Sequence, residues 1–342
     1  MKIYFHYDLD SHDLLSSLVL NQFIFEKKYE LFTNKFPNNF FINNKDKYPA
    51  YGEGHTVYYK LEEELQQNIK TLKNNEIEAR IYDKYFDLII YLNPDINRLL
   101  SNKNLYFFNK LEKIYGRDEI LIIDGHDHQD VNIKLAKKTR YFKRELTEKH
   151  KTYCEPISFS FPSYYSQTNK KEVPNILKDN IYNFKKNKKY NILAPNDPRF
   201  TNSYIFKEEE KYYEQYSRSL FATTTRKGGW DCLRHYEILR NNCLPFFPNI
   251  EKKPKLTMAN YPVKLQKKVN SFFEKFILHY DTYFIEYNNL NRQFNHHILN
   301  KIGLRKVPSD SYFDKYENLL SEFIDWFNEY GYSSNYSHKL KL

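Results

Sequence analysis

A dense run of acidic and imidazole side chains follows an apolar stretch near the middle of the chain. Residues 120–130 read ILIIDGHDHQD, so that Asp124, His126 and Asp127 come directly after four apolar residues. A short apolar run of this kind is typical of a buried parallel strand. Ligands of open α/β sheets bind at the carboxyl ends of such strands. Because carboxylates and imidazoles can take a proton from a hydroxyl group, Asp124, His126 and Asp127 are candidate catalytic residues.

A second group of chemically capable residues lies between residues 220 and 248. Two cations, Arg226 and Lys227, precede the pair Gly228 and Gly229, and a helix is predicted to start just afterwards. Free backbone N–H groups and the positive end of a helix favour a phosphate. This loop therefore predicts a site for a phosphorylated ligand.

The start of the predicted helix adds further candidate binding residues. Arg234 and Glu237 are three residues apart and share one helix face. A carboxylate at that position can accept hydrogen bonds from a ribose diol, although a simple surface ion pair between the two residues explains the same spacing. Trp230, which precedes the helix, and Asp231, its first residue, complete the predicted binding segment.

Glycine is scarce, and its distribution points to the same places. The chain has 8 glycines in 342 residues, and five of them fall in three short segments. These segments hold Gly52 and Gly54, Gly125, and the pair Gly228 and Gly229. Where other residues have replaced most glycines, those that remain mark positions that a side chain cannot occupy. The alternative is that these glycines belong to ordinary turns.

Alternating strands and helices are expected to position both groups of residues. Apolar runs predict strands, and apolar residues at helical spacing predict helices. Strands that alternate with helices form a parallel sheet. The predicted strands are 2–7, 87–92, 120–123, 190–194, 220–224 and 244–247, and the predicted helices are 11–29 with Ser11 as N-cap, 62–73, 105–115, 207–217, 231–240 and 313–330.

The length of the chain and its apolar content predict more than one folded unit. A chain of 342 residues suits two domains of average size. Hydrophobic residues make up 41% and aromatic residues 18%, which excludes a disordered chain. The lysine-rich segment at 185–189 reads as a linker. We expect an α/β protein with domains at 1–165 and 190–300, followed by C-terminal helices at 301–342 that pack back on the first domain.

The segment after residue 226 resembles part of a known enzyme family. The run KGGWDCLRHYEIL, followed by NNCLPFF, is similar to the C-terminal domain of exostosin-like glycosyltransferases of the GT-B fold. The resemblance implies two Rossmann-like domains facing a cleft, with a nucleotide-sugar donor on the second. By this resemblance Arg226, Lys227 and Gly228 face the diphosphate, and Glu237 binds the ribose. Asn241 and Asn242 depart from the family's small residue and Gly, which puts that turn in doubt.

Weaker similarities to the same family occur earlier, in the expected order. Residues 51–56, which include Gly54 and His55, are similar to a glycine-rich loop of the acceptor domain, and residues 141–146 resemble an F-K-R-E segment. The resemblance thus implies that Gly54, His55, Lys143, Arg144 and Glu145 lie at the cleft or contact the acceptor.

The resemblance also implies the reaction. It predicts transfer of a sugar from a nucleoside diphosphate sugar to a hydroxyl group, on a surface glycan or a lipopolysaccharide precursor. The residues eight before and eight after Glu237 are Gly229 and Pro245, so the paired glutamates of many retaining GT-B enzymes are absent. We therefore expect inversion, with a general base, and cations rather than a metal or another cofactor at the leaving group.

Two other enzyme classes stay open as alternatives. Asp124, His126 and His128 alternate along the chain, and carboxylates and imidazoles bind Zn²⁺ in hydrolases. No second histidine-rich segment has a spacing that completes such a site. Asp8 and Asp10 follow the first predicted strand as in phosphatases with a D-x-D pair, but the usual Gly-Thr after them is missing.

The net charge of +10 raises the question of a nucleic-acid partner. A basic surface attracts polyanions, so a DNA-modifying glycosyltransferase and a non-catalytic nucleic-acid-binding protein are further alternatives. The lysines are spread along the whole chain and no recognition motif accompanies them, so nucleic acid is not the favoured partner.

The remaining features predict the compartment. The three cysteines, Cys154, Cys232 and Cys243, form no C-x-x-C pair and suit a reducing environment. The first residues contain no apolar signal-peptide core, and no apolar stretch reaches the ~18 residues of a membrane-spanning helix. We expect a cytoplasmic protein, with peripheral contact to a membrane as an option.

Overall fold

The computed structural model describes residues 1–7, 13–36, 63–92, 102–161, 191–194, 209–278, 310–331, 336 and 339–340. Within these ranges the chain forms a large and a small parallel β-sheet, both flanked by helices. Several predictions concern residues outside these ranges. They are those for Gly54 and His55, for the pair Asp8 and Asp10, and for the linker.

The larger sheet contains seven strands among the described residues, in the order β3-β2-β1-β4-β5-β6-β7. Every neighbouring pair is parallel. This order, which runs outward in both directions from β1 and β4, is Rossmann-like and has its switch point between those two strands. The strands are β1 (Lys2–Tyr7), β2 (Glu30–Thr33), β3 (Ile69–Thr71), β4 (Leu88–Leu92), β5 (Ile120–Asp124), β6 (Arg140–Lys143) and β7 (Cys154–Pro156).

Helices lie between most of these strands along the chain, as is usual where parallel strands are connected. The first helix connects β1 to β2. All ten of its residues from Leu15 to Ile24 are buried, which explains why it lacks a clear polar side. The helices of this unit are α1 (Leu14–Glu26), α2 (Asn74–Tyr82), α3 (Asn102–Ile114) and α4 (Ile133–Lys138).

The central strands are buried on both faces. All five residues of β4 and all five of β5 are buried, as their unbroken apolar runs predict. Ile123 belongs to the core that also contains α1, whereas Ile122 packs with Tyr4, Tyr91 and Tyr141 on the other face. Asp124 follows Ile122 on that second face because side chains alternate along a strand.

The smaller sheet has three parallel strands in the described part of the chain, in the order β10-β9-β8. The strands are β8 (Asn191–Leu193), β9 (Ser219–Thr223) and β10 (Leu244–Phe246), and the helices of this part are α5 (Glu209–Ser217), α6 (Leu233–Arg240), α7 (Val263–Leu278) and α8 (Asp310–Trp326).

The last described helix packs mainly on the smaller sheet's own helices. Helix α8 contacts α6 and α7, and the Tyr316 hydroxyl donates to the carbonyl of Leu220 over 2.9 Å. Beyond the helix, the Tyr336 hydroxyl donates to the carbonyl of Ser158 over 3.1 Å, and the Phe161 N–H donates to Gly331 over 2.6 Å. The contact with the chain leaving β7 is thus made by the residues that follow α8.

Two sequence-based predictions are wrong in detail. The predicted helix 62–73 is instead a short 3-10 helix (Glu63–Asn68) followed by β3, because Ile69 finds a strand partner in Leu31 of β2. The predicted N-cap Ser11 is not the cap of α1; Asp13 is, and its carboxylate accepts the N–H groups of Leu15 and Ser16. A carboxylate there also complements the positive end of the helix.

Most other predicted elements are confirmed. The strands at 2–7, 87–92 and 120–123 and those of the smaller sheet are present within a residue or two, and 313–330 is helical. Strands β2, β6 and β7 and helices α2 and α4 were not predicted, since each is short and carries few apolar residues at a clear period. The chain is a mixed α/β protein with a Rossmann-like parallel sheet.

Candidate functional site

The Asp124 carboxylate is the centre of a buried polar cluster at the carboxyl end of β5. Its side chain is 0% exposed. The Tyr141 hydroxyl donates to Oδ2 over 2.6 Å, and the Lys143 ammonium donates to Oδ1 over 2.9 Å. Both donors lie on β6, which pairs with β5 so that Asp124 stands opposite Lys143. The pairing of the two strands therefore brings an acid and a base together inside the protein.

His126 completes this cluster and is its most exposed member. The Asp124 carboxylate contacts the His126 ring at Nδ1 over 3.0 Å and accepts the His126 backbone N–H over 3.1 Å. The imidazole is 31% exposed, whereas Asp124 is fully buried. With Nδ1 bound to the carboxylate, Nε2 is the ring nitrogen left for a substrate. An acid that orients an imidazole in this way is the arrangement of a general base.

The ionisation of the pair follows from its surroundings. Burial alone would raise the pKa of Asp124, but the hydrogen bond from His126, the charge of Lys143 and the hydrogen bond from Tyr141 outweigh it and lower the pKa to about 2. The hydrogen bond to Asp124, which burial partly offsets, raises the pKa of His126. Asp124 is therefore a permanent carboxylate, and His126 is the group that exchanges a proton.

Two further side chains flank the imidazole. The His128 ring stacks on it with centroids 5.2 Å apart and planes 21° apart. On the side of α1 lies Asp13, whose carboxylate occupies the space that a Cβ on Gly125 would need. Burial raises the pKa of Asp13, and His126 lies close enough to offset part of that rise. A glycine at 125 is thus required by the approach of Asp13.

Arg144 ties the loop after β5 to the second sheet. Its guanidinium is buried and donates to the carbonyls of Gly125 and Asp231 and to the carboxylates of Asp127 and Glu145. The charges of Asp231 and Glu145 outweigh burial and raise the pKa of Arg144. Asp127 is therefore an ion-pair partner with a 61% exposed side chain, not a member of the Asp124 pair.

Glu145 binds the loop before α6 through two backbone groups. Its oxygens accept the Trp230 N–H over 3.0 Å and the Asp231 N–H over 2.9 Å, and the residue is 1% exposed. The expectation that Lys143, Arg144 and Glu145 face the cleft needs correction, because all three are buried and use their charges on protein partners. They position the site from behind.

The predicted phosphate turn also packs differently from expectation. A Cβ on Gly228 would meet the Asp127 carboxylate, and one on Gly229 would lie 2.5 Å from Glu145 Oε1 and 2.9 Å from Arg144 Nη1. The glycines are therefore explained by close contact with the loops after β5 and β6. The two carboxylates that approach this turn are both paired with Arg144, and the binding of a diphosphate at Gly228 and Gly229 stays a prediction.

Asp231 faces inward as well. Its carboxylate accepts the Phe159 N–H over 2.6 Å and the Tyr236 hydroxyl over 3.2 Å. Burial raises the pKa of Asp231 to about 6, although the charge of Arg144 opposes the shift. Trp230 is buried beside it, with its ring 6.2 Å from that of Phe247. Neither side chain is open to a ligand.

The two cations of the loop, Arg226 and Lys227, lie wholly or partly at the surface. Arg226 is exposed and lies over the Trp230 ring, 5.9 Å from its centroid, and Lys227 is half-buried. His235, which is not among the predicted site residues, holds this loop in place. Its Nδ1 contacts the Thr224 hydroxyl over 2.8 Å, and its Nε2 contacts the Trp230 carbonyl over 2.9 Å.

The Arg234 and Glu237 side chains lie inside the smaller unit. Both are less than 5% exposed. The Glu237 carboxylate accepts the Tyr212 hydroxyl over 3.1 Å and the Tyr213 hydroxyl over 3.4 Å, both from α5. A surface ion pair is therefore ruled out for these residues, and a contact of Glu237 with a ribose requires the tyrosines to give way. The ribose role stays a prediction.

The alternative metal site gains no support. In the part of the chain that the structure describes, no group of three or more His, Cys, Asp and Glu side chains converges as metal ligands would. Asp124 Oδ1 is engaged by His126 and Lys143, and His126 faces His128 ring to ring. The three residues of the predicted zinc site therefore do not point at a common centre.

No known protein family, no curated protein and no solved structure matches the chain. Among the residues that the structure describes, no helix is both long and apolar enough to cross a lipid bilayer.

Several residues of the site have no clear signal in the sequence. Tyr141 and Asp13 contribute to the cluster only because β6 and the start of α1 lie beside β5. The spacing of Tyr141 and Lys143 would have indicated Tyr141 only if β6 had been predicted, since residues two apart share a face of a strand.

Proposed function

We propose that the protein is a glycosyltransferase that moves a sugar from a nucleoside diphosphate sugar to a hydroxyl acceptor, with inversion and with His126 as general base. The observation that carries the proposal is the Asp124–His126 pair at the carboxyl end of a strand in a Rossmann-like sheet. In this proposal the two sheets belong to domains of a GT-B arrangement, the first binding acceptor and the second donor. The acceptor is a hydroxyl of a surface glycan or a lipopolysaccharide precursor.

The chemistry assigns one role to each group. The acceptor oxygen attacks the anomeric carbon, the bond from that carbon to the diphosphate breaks, and the hydroxyl proton passes to His126 Nε2. Asp124 holds the ring by Nδ1 and stabilises the imidazolium that results. The nucleoside diphosphate leaves with the bonding electrons, and its negative charge is stabilised by cations.

Arg226 and Lys227 are the proposed donor-binding cations. Both lie between β9 and α6, at the carboxyl end of a strand of the smaller sheet, where ligands of parallel sheets bind. Because the carboxylates of Asp127 and Glu145 lie against Gly228 and Gly229, the diphosphate is proposed to lie against the side chains of Arg226 and Lys227 rather than on the glycine turn.

The first test is a thermal-shift panel of UDP, GDP, CDP, dTDP and ADP on the whole protein, with and without Mg²⁺ or Zn²⁺. A ligand at ~100 times its dissociation constant adds about 2.7 kcal/mol to stability. We expect one nucleoside diphosphate to stabilise the protein without a metal, and the Arg226→Ala variant to lose that shift. The matched control is Lys134→Ala, an exposed residue of α4.

The second test separates chemistry from binding. With the sugar nucleotide identified by the panel, His126→Asn is expected to lower turnover by about 10²–10⁴-fold while the nucleotide still stabilises the protein. The proposal fails when no nucleotide stabilises the protein, or when His126→Asn turns over sugar nucleotide at the wild-type rate. Stabilisation by Zn²⁺ alone would instead favour a metal-dependent reaction.

A further inference from the structure

The Lys143 ammonium is a fully buried cation with two acceptors in the candidate site. The side chain is 0% exposed, and Nζ donates to Asp124 Oδ1 over 2.9 Å and to the His126 carbonyl over 3.4 Å. A charge without water is stable only where the protein supplies opposite charge and hydrogen bonds. Lys143 therefore bridges the Asp124 carboxylate and the backbone carbonyl of His126, whose ring the carboxylate orients.

Tyr141 fixes the other side of the same carboxylate. Its hydroxyl donates to Asp124 Oδ2 over 2.6 Å, so each carboxylate oxygen has a donor from β6. Burial and the neighbouring Asp124 raise the pKa of Tyr141 well above its usual range. The hydroxyl thus keeps its proton at neutral pH and remains a donor.

We propose that Lys143 and Tyr141 are positioning residues that hold Asp124 in one orientation, so that the His126 proton stays on Nδ1 and Nε2 is left to accept the substrate's proton. The catalytic consequence of this proposal rests on the proposed function. The orientation and the protonation of the His126 ring can be tested without it. Both residues act from β6, behind the site, without touching a substrate.

Other charged groups also face the imidazole, and their effects set the sign of the expected change. Asp124 and Asp13 favour the protonated ring, whereas Lys143 disfavours it. His128 stacks on the ring, and Arg144 lies near Asp13. Removing the Lys143 charge takes away a cation that repels the protonated His126 ring. It also leaves the negative charge of Asp124 less neutralised. Both effects raise the pKa of His126.

The test is a histidine titration followed by NMR on the full chain, with His126→Asn to identify the His126 signal. In Lys143→Met we expect the midpoint of His126 to rise, because the charge of Lys143 disfavours the protonated ring. The control Lys134→Met removes an exposed lysine of the neighbouring α4 and is expected to leave the midpoint unchanged. The ring tautomer reports the position of Asp124: a neutral His126 in folded Lys143→Met that keeps its proton on Nδ1, as in wild type, overturns the proposal.

Two measurements keep the proposal testable where Lys143→Met does not fold. Tyr141→Phe removes a single hydroxyl and is expected to shift the His126 midpoint in the same direction by a smaller amount. In the wild-type protein, the ring ¹⁵N shifts are expected to show the neutral His126 with its proton on Nδ1. A neutral ring protonated on Nε2, or a Tyr141→Phe midpoint equal to wild type, contradicts the proposal.

Activity then separates this proposal from the proposed function. If the protein transfers sugar, Lys143→Met moves the acidic limb of the kcat profile to higher pH and leaves KM unchanged, which a purely structural role would not do. If no sugar nucleotide is turned over, the proposed function fails, while the titration midpoint and the tautomer still decide whether Lys143 and Tyr141 position His126.

Discussion

The pKa values of two buried carboxylates of the site shift in opposite directions because their surroundings differ. Asp124 faces an ammonium, a tyrosine hydroxyl and an imidazole, which together lower its pKa to about 2. Asp231 is equally buried but accepts from a backbone N–H and a tyrosine, and burial raises its pKa to about 6. Arg144 also opposes the rise at Asp231 but does not outweigh burial there, so the balance between burial and the surrounding charges decides the direction of each shift.

The raised pKa of Asp231 makes a prediction about pH and stability. The folded protein holds this proton more tightly than the unfolded chain, whose carboxyl titrates near its usual value. The contribution is therefore complete below about pH 4 and is lost as the pH rises through about 6. Asp231→Asn cannot ionise, so its free energy of unfolding is expected to gain about 2–3 kcal/mol relative to wild type between pH 4 and 7.

Urea denaturation at a series of pH values measures this difference. The exposed Asp314→Asn on α8 serves as the matched control and is expected to run parallel to wild type. A difference between wild type and Asp231→Asn that stays constant with pH would contradict the assignment.

At the scale of elements, the loops after β5 and β6 meet the loop before α6 through glycines. Gly228 lies against Asp127, whose side chain is 61% exposed, and Gly229 lies against the buried Glu145 and Arg144. The two glycines are adjacent in sequence but differ in how much their neighbours can move. An exposed carboxylate can turn into solvent, whereas a buried ion pair cannot.

This difference predicts unequal effects of two alanine substitutions. Gly229→Ala is expected to cost about 2–4 kcal/mol because the Glu145 and Arg144 side chains must shift inside the protein. Gly228→Ala is expected to cost less, since Asp127 can move away. Thermal or urea unfolding of the two variants side by side measures the difference, and equal losses would show that the loops do not meet as described.

At the scale of the whole molecule, the two sheets are joined by a compact set of hydrogen bonds. Glu145 binds the loop before α6, Asp231 binds the chain after β7, and the Thr257 hydroxyl donates to the Leu146 carbonyl over 2.9 Å. The core around α1 also continues into the smaller sheet. The two units should therefore unfold together.

Glu145→Ala tests this coupling. It leaves the buried N–H groups of Trp230 and Asp231 without their acceptor and removes a charge beside Arg144, which should cost about 3–5 kcal/mol. Both tryptophans, Trp230 and Trp326, lie in the part of the chain with the smaller sheet. In this variant we expect tryptophan fluorescence and circular dichroism to report separate unfolding transitions. In wild type we expect both probes to report the same transition.

The matched control is Glu148→Ala. Glu148 is exposed and pairs with the exposed Lys151 over 2.9 Å, so its removal should leave the unfolding curves unchanged. Coincident transitions in Glu145→Ala, at wild-type stability, would mean that Glu145 does not couple the two sheets.

The sequence by itself determined the elements with strong local patterns. The unbroken apolar runs of β4 and β5 predict buried parallel strands because such strands are covered on both faces, and the scarcity of glycine marked Gly125, Gly228 and Gly229 as positions closed to side chains. The sequence also brought Asp124 and His126 together, since they are two residues apart at the end of a strand.

Tertiary structure alone decided what those residues do. Glu145 and Trp230 are 85 residues apart in the chain and meet only because the two sheets pack together. The same packing placed the glycine pair in a contact between loops, and it made Lys143 a buried partner of Asp124. Local patterns encode burial and periodicity, whereas the partner of a charged side chain depends on which distant strand or loop arrives beside it.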